Sequence, residues 1–237
     1  MAERRIVTLA DPDTLARHVA AWLTELARAS PDRFAISLSG GSTPKRLFEI
    51  LAEPKMAARF PWPKTHLFWG DERLVPYTHA DSNYGMTRQT LLRHVPIPPG
   101  QVHPMPVDGS PAEGAAAYQA TLQAFYGAES LDMARPLFDV TLLGLGENGH
   151  TASLFPGTQS LSETLAWVAP VTDGVPQPRL TLTYPAIACT NHVAFLVAGA
   201  GKADVLAKVL AGDRAQPATQ VTAAGEVTWF TDSAAIK

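Results

Sequence analysis

The sequence predicts an α/β protein with a mainly parallel sheet covered by helices on both faces, in one domain over residues 1–237. Three observations predict it. Strand-like apolar runs alternate with helical patterns from end to end, the order that builds parallel sheets. Several of those runs, FDVTLL (138–143) and NHVAFLVAG (191–199) among them, are nearly continuous in apolar residues, as strands buried on both faces are. And no repeat, low-complexity tract or linker interrupts 237 residues, a length that fits one large core.

The elements follow in order. Leu15, Val19, Trp22, Leu23 and Leu26 recur at helical spacing in residues 10–30, with Asp11 or Asp13 available as a cap. RFAISLS (33–39) reads as a strand, TPKRLFEIL (43–51) as a helix and THLFWG (65–70) as a strand; a polar loop then leads into a helix, NYGMTRQTLLRHV (83–95). PIPPGQVHPMP (96–106) can only be extended or turning, because proline fixes φ and lacks an N–H. A helix over 113–128, strands over 138–146, 165–171, 178–184 and 191–199, a helix over 202–212 and a closing strand over 226–232 complete the pattern.

Composition narrows the function. The chain is 46% hydrophobic and 17% charged with a formal net charge of -3, so no basic field favours nucleic acid or an anionic membrane. An anionic substrate would need individually placed cations. The N-terminus lacks a signal-type apolar core, the longest apolar stretch (192–200) is far too short to span a bilayer, and a single cysteine, Cys189, allows no internal disulfide. The expectation is a cytoplasmic protein, and, with no sign of a coiled coil or unusual apolar edge, a monomer.

Ligands of open α/β sheets sit beyond the carboxyl ends of the strands, which directs attention to the polar loops there. In SLSGGSTPK, Gly40 and Gly41 permit a tight turn with inward-facing amides, and Ser42 and Thr43 add hydroxyls, a combination able to hold phosphate at a helix start. The same residues also read as a plain turn with Thr43 as N-cap and Pro44 at the first helical position. Asp71, Glu72 and Arg73 follow another strand and by themselves read as a solvated corner.

The third loop, GLGENGHT (144–151), matches G-x-G-x-x-G literally, but Pro156 and Gly157 interrupt any long helix, which argues against dinucleotide binding. What remains is His150 on a glycine-supported turn beside Glu147, Asn148 and Thr151, an imidazole able to accept a proton from water near neutral pH. Arg179 at a strand start and Lys202 after Gly-Ala-Gly complete a pocket for a small anion. No HExxH, Cys/His cluster or EF-hand spacing offers a metal site, and no G-x-S-x-G a nucleophile, so neither metal nor cofactor is expected.

SLSGGSTPK, GDERLVP with SNYGM, GLGENGHTASLFPG and FLVAGAGKADVL, in this order, resemble the 6-phosphogluconolactonases over nearly the whole chain. The resemblance implies a Rossmann-like three-layer α/β sandwich shared with glucosamine-6-phosphate deaminases. It also implies metal-free hydrolysis of a phosphorylated sugar lactone, 6-phospho-D-glucono-1,5-lactone, in the oxidative pentose phosphate pathway. It makes His150 the base and Asp71 an acidic position that orients Arg73 or the sugar; by oxyanion-hole logic Arg73 and the Gly40–Gly41 amides are the candidate donors to the developing charge. Ser42, Thr43, Arg179 and Lys202 fall to the phosphate.

One departure stands out: Asn148 occupies a position where many relatives carry aspartate, leaving Asn148 or neighbouring Glu147 to support the imidazole. Two alternatives are a glucosamine-6-phosphate deaminase and a non-catalytic sugar-phosphate sensor. The deaminases carry a glutamate five positions after the histidine, where this chain has Phe155; a sensor would need an attached DNA-binding module.

Overall fold

In the computed structural model, which describes residues 4–236, the chain runs β1 (Arg4–Leu9), α1 (Pro12–Ala29), β2 (Phe34–Leu38), α2 (Ser42–Leu51), α3 (Pro54–Ala57), β3 (Thr65–Trp69), β4 (Asp71–Arg73), α4 (Asn83–Thr87), α5 (Pro111–Tyr126), β5 (Phe138–Leu143), β6 (Val168–Val171), β7 (Arg179–Leu182), α6 (Tyr184–Ala188), β8 (Thr190–Val197), α7 (Ala203–Leu210) and β9 (Glu226–Asp232). Six strands form the main sheet in the order β1-β9-β8-β5-β2-β3, with every neighbouring pair parallel. All five residues of β2 are buried, as are most of β5, β8 and β9, so the middle of the sheet is covered on both faces. Phe195 of β8 stacks on Trp229 of β9 with centroids 3.8 Å apart, tying two strands of that core together.

Local sequence explains the helix starts. Asp11 caps α1 by accepting from the Thr14 amide at 2.7 Å, and α5 opens with a capping box between Ser110 and Glu113. At α2 the cap is Gly41, with φ of 102°, and no side chain satisfies the helix end. Thr43 is therefore not the N-cap, and Pro44 sits at the third helical position. The helix over 83–95 is α4 continued by a wide π turn at Arg88–Leu92.

The parallel pattern does not extend to residues 165–184. β6 and β7 pair antiparallel and join β4 in a second, three-stranded sheet ordered β4-β7-β6. The reason is geometric: the connection 172–178 is too short for a parallel crossover and makes a hairpin instead. Pro170, exposed on the outer strand β6, fits an edge that needs no amide there. The polar Asp71–Arg73 triplet is itself a strand, and β1 adds an edge to the main sheet that the charged start of RRIVTL conceals.

The chain passes from β2 outward to β3 and then returns to place β5 on the other side of β2. That reversal opens a crevice beyond the carboxyl ends of β2 and β5, the switch point at which open α/β sheets bind ligands. The loops leaving those two strands are SGGST and GLGENGHT.

Candidate active site

A cavity of 610 Å³ occupies the switch-point crevice. All ten residues singled out in the sequence line it: Gly40, Gly41, Ser42 and Thr43 from the first loop, Asp71 and Arg73 from β4, Asn148 and His150 from the glycine loop, Arg179 from β7 and Lys202 before α7.

The glycine loop is built to present His150. The Gly146 amide donates to the His150 carbonyl at 2.8 Å, and the Thr151 hydroxyl donates to the Gly144 carbonyl at 2.8 Å, closing the loop on itself. Gly146 has no alternative, because a Cβ there would stand 2.0 Å from the imidazole ring. Asn148 Oδ1 accepts from the His150 amide at 3.3 Å and lies 2.5 Å from Nδ1. An amide oxygen only accepts, so Nδ1 carries the proton and Nε2 is left as the basic nitrogen. Glu147 is exposed and makes no ion pair with the ring among the described residues, so Asn148 is the group that orients it.

Burial pushes the imidazole down to about 4; Asp71 pulls upward, and Arg179, Lys202 and Arg73 push further down. His150 is thus neutral at pH 7, the form a general base requires.

The cations come from an unusual pairing. β4 and β7 align so that Arg73 stands directly opposite Arg179. Like charges facing each other across a ladder destabilise a sheet, which marks the pair as serving something other than the fold. Neither arginine, nor Lys202, has a carboxylate partner among the described residues. The Nε atoms of Arg73 and Arg179 are both buried without a hydrogen-bond acceptor. Desolvation, then the field of Arg73, lowers the pKa of Arg179 from its ordinary value. Guanidinium groups without carboxylate partners thus share the cavity with an uncapped helix start, features of the kind that favour anions.

Asp71 balances part of this charge. Buried to 5% exposure, it accepts from Ser153 Oγ at 2.7 Å and from Asn83 Nδ2 at 3.3 Å, while Arg73 is held by the Asp81 carbonyl at 2.6 Å. Asp71 therefore does not orient Arg73 by direct contact. Glu72, 1% exposed, accepts from the amides of Arg73, Asn83 and Tyr84, each at 2.8 Å, and from Ser82 Oγ at 3.1 Å. It fastens the start of α4 to β4, and with it Asn83, whose amide packs against Gly40; a Cβ on Gly40 would lie 1.9 Å from Asn83 Oδ1.

Asn83, Ser153 and Phe155 lay inside the quoted motifs but received no role from sequence. Their significance is contact that spacing does not report: Asn83 meets Asp71 across 12 residues, Ser153 meets Asp71 across 82, and Phe155 meets His150 across a turn at Ala152 whose φ is 47°. The one sequence signal was their place inside blocks of polar residues at strand ends.

A mainly parallel α/β sheet with a neutral imidazole and three carboxylate-free cations lining the crevice at its switch point defines the class: an α/β protein of the kind that holds ligands beyond the carboxyl ends of its strands. A family model described as glucosamine-6-phosphate isomerases/6-phosphogluconolactonase matches residues 10–229, and the chain belongs to that family. It is 44% identical over 229 residues to a 6-phosphogluconolactonase of Nostoc sp., covering 93% of this chain and 92% of the relative. A crystallised 6-phosphogluconolactonase from Thermotoga maritima superposes with a TM-score of 0.82 at 28% identity, covering 98% of this chain and all of the other (100%). A monomeric glucosamine-6-phosphate deaminase, at 19% identity and a TM-score of 0.80 over 98% of each chain, shares the fold.

Proposed function

We propose that the protein hydrolyses 6-phospho-D-glucono-1,5-lactone to 6-phospho-D-gluconate, with His150 as general base. The observation that carries this reading is the neutral imidazole: its Nδ1 is engaged by Asn148, and its Nε2 has no partner among the described residues, in a cavity lined by three cations without carboxylate partners. The names of the relatives supply the substrate.

Water attacks the lactone carbonyl carbon while Nε2 takes its proton. Negative charge develops on the carbonyl oxygen, where Arg73 and the amides of the Gly40–Gly41 turn are the donors within the cavity. Collapse breaks the bond between that carbon and the ring oxygen, and the imidazolium returns the proton to the departing oxygen. The carboxylic acid so formed ionises in solution. Arg179, Lys202, Ser42 and Thr43 hold the phosphate dianion, fixing the lactone for attack. Binding that dianion also offsets the cations that depress the imidazole, so the base strengthens as substrate seats. Phe155 stands where the related deaminases carry a glutamate, and a phenyl ring transfers no proton.

The test uses freshly generated lactone, with product read through 6-phosphogluconate dehydrogenase, in buffer, with wild type and with His150→Ala. Wild type should accelerate hydrolysis strongly, and the variant should lose about 10²–10⁴-fold, the usual contribution of a general base. Equal rates in wild type and variant would remove His150 from the chemistry. No acceleration by wild type would leave a binding module in its place.

A further inference from the structure

One side chain touches both halves of the site without entering the chemistry above. The Phe155 ring lies against the His150 imidazole, centroids 4.3 Å apart and planes inclined by 31°. The Arg179 guanidinium carbon stands 5.0 Å from the centroid of the same ring. Each neighbour needs the support. The imidazole is tied at Nδ1 to a single exposed asparagine and otherwise rests on the Gly146 backbone. Among the described residues the Arg179 side chain has no carboxylate, its Nε is unpartnered, and its one hydrogen bond, to Ser153 Oγ, is long at 3.5 Å. For a guanidinium left free to meet a ligand, an aromatic face holds it in place without consuming its donors.

The local backbone delivers the ring. Thr151 and Leu154 bridge around Ala152, Ser153 is pinned through its amide to Thr181 Oγ1 at 3.1 Å and through its hydroxyl to Asp71, and Pro156 ends the segment. Phe155 is thereby fixed to the strand that carries Arg179 as well as to the loop that carries His150.

We propose that Phe155 is a positioning residue, a shared plate that sets the base and the phosphate-holding cation in one rigid relation, so that gripping the phosphate fixes the carbonyl relative to Nε2. The proposal rests on the lactonase reading. A misplacement near 1 Å at such a site costs on the order of 10²-fold in rate.

Phe155→Leu keeps apolar volume but removes the plate; Phe155→Tyr keeps it. With the phosphorylated lactone, Phe155→Leu should lower kcat by ~10–100-fold, with a much smaller loss on the unphosphorylated gluconolactone, whose hydrolysis draws nothing from Arg179. Phe155→Tyr should restore most of the rate. Independently of turnover, NMR titration of the His150 ring, assigned against His150→Gln, should move up from about 4 towards the ordinary histidine value in Phe155→Leu and stay in place in Phe155→Tyr.

Unchanged kcat and titration in a folded Phe155→Leu protein, or equal damage from leucine and tyrosine, would overturn the proposal. If wild type does not hydrolyse the lactone, the functional reading falls by itself. The ring's role is then decided by the titration and by binding of inorganic phosphate: Phe155→Leu must shift the first and weaken the second, or the proposal fails as well.

Discussion

Asn148 orients the imidazole without charging it. Two donors of the same residue, the His150 amide and Nδ1–H, converge on its Oδ1, so the asparagine fixes the tautomer as a carboxylate would. What it lacks is the charge that favours an imidazolium. Nothing at Nδ1 therefore offsets burial and the three cations, and the ring is held near 4. Asn148→Asp places an anion at hydrogen-bond distance, which raises the pKa by about 1–2 units. A base with a higher pKa needs a higher pH to be neutral, so the acidic limb of kcat/KM should move up by that amount. Superimposable pH–rate profiles for wild type and Asn148→Asp would show that orientation alone matters at this position. The histidine itself was legible in sequence, because three glycines ahead of it and a polar cluster at a strand end have few structural uses. The imidazole's partner was not, since Glu147 and Asn148 lie three and two positions before it and only the fold of the turn chooses between them.

At the level of elements, β4 is the least legible and among the most consequential. Three consecutive charged residues read as a solvated corner, yet Asp71 and Glu72 are buried and Arg73 pairs with Arg179 across an antiparallel ladder. The information that buries Glu72 lies eleven or twelve residues onward, in the amides of Asn83 and Tyr84, which no periodicity reports. By contrast, the parallel strands and long helices were readable from their apolar spacing, and the hairpin of β6 and β7 was readable in principle from its short connection. Glu72 answers backbone N–H groups with an acceptor, so Glu72→Gln would turn an amide donor towards at least one of them. That substitution should cost about 2 kcal/mol, seen as a fall in melting temperature of ~4–8 °C for a chain of this size. Because α4 carries Asn83, activity should fall beyond the loss of folded protein. A Glu72→Gln protein with wild-type melting and activity would reduce the buried carboxylate to a passive filler.

Across the whole molecule, acid should weaken the fold from a place remote from the cavity. The proline-rich segment runs beside edge strand β3, where Val102 bridges Leu67 and the His103 amide donates to the Leu67 carbonyl at 2.9 Å, covering the outer side of the sheet. This covering brings His103 over Phe68, stacked at 4.4 Å, and its Nε2 to 3.1 Å from His66 Nδ1, with Phe125 and Arg33 alongside. Burial, then the neighbouring histidine, pushes His103 down to about 4; burial, then Arg33, pushes His66 down as well. One ring must donate and the other accept, so the pair cannot hold a proton on both facing nitrogens, and full protonation breaks it. Between about pH 6.5 and 4 the unfolded chain binds protons that these folded rings refuse, so stability falls as pH drops through that window and is unaffected above it. His150 adds to the loss with the same sign. Only partly buried, His103 contributes on the order of 1 kcal/mol rather than the several of a fully buried shift, or ~2–4 °C in melting temperature. His103→Gln removes one titrating ring at the sheet edge and leaves the cavity intact. Its melting temperature should decline less steeply than that of wild type between pH 6.5 and 4.5, with equal activity at pH 7. Parallel declines would place the acid sensitivity in the active-site histidine instead of in the covered edge.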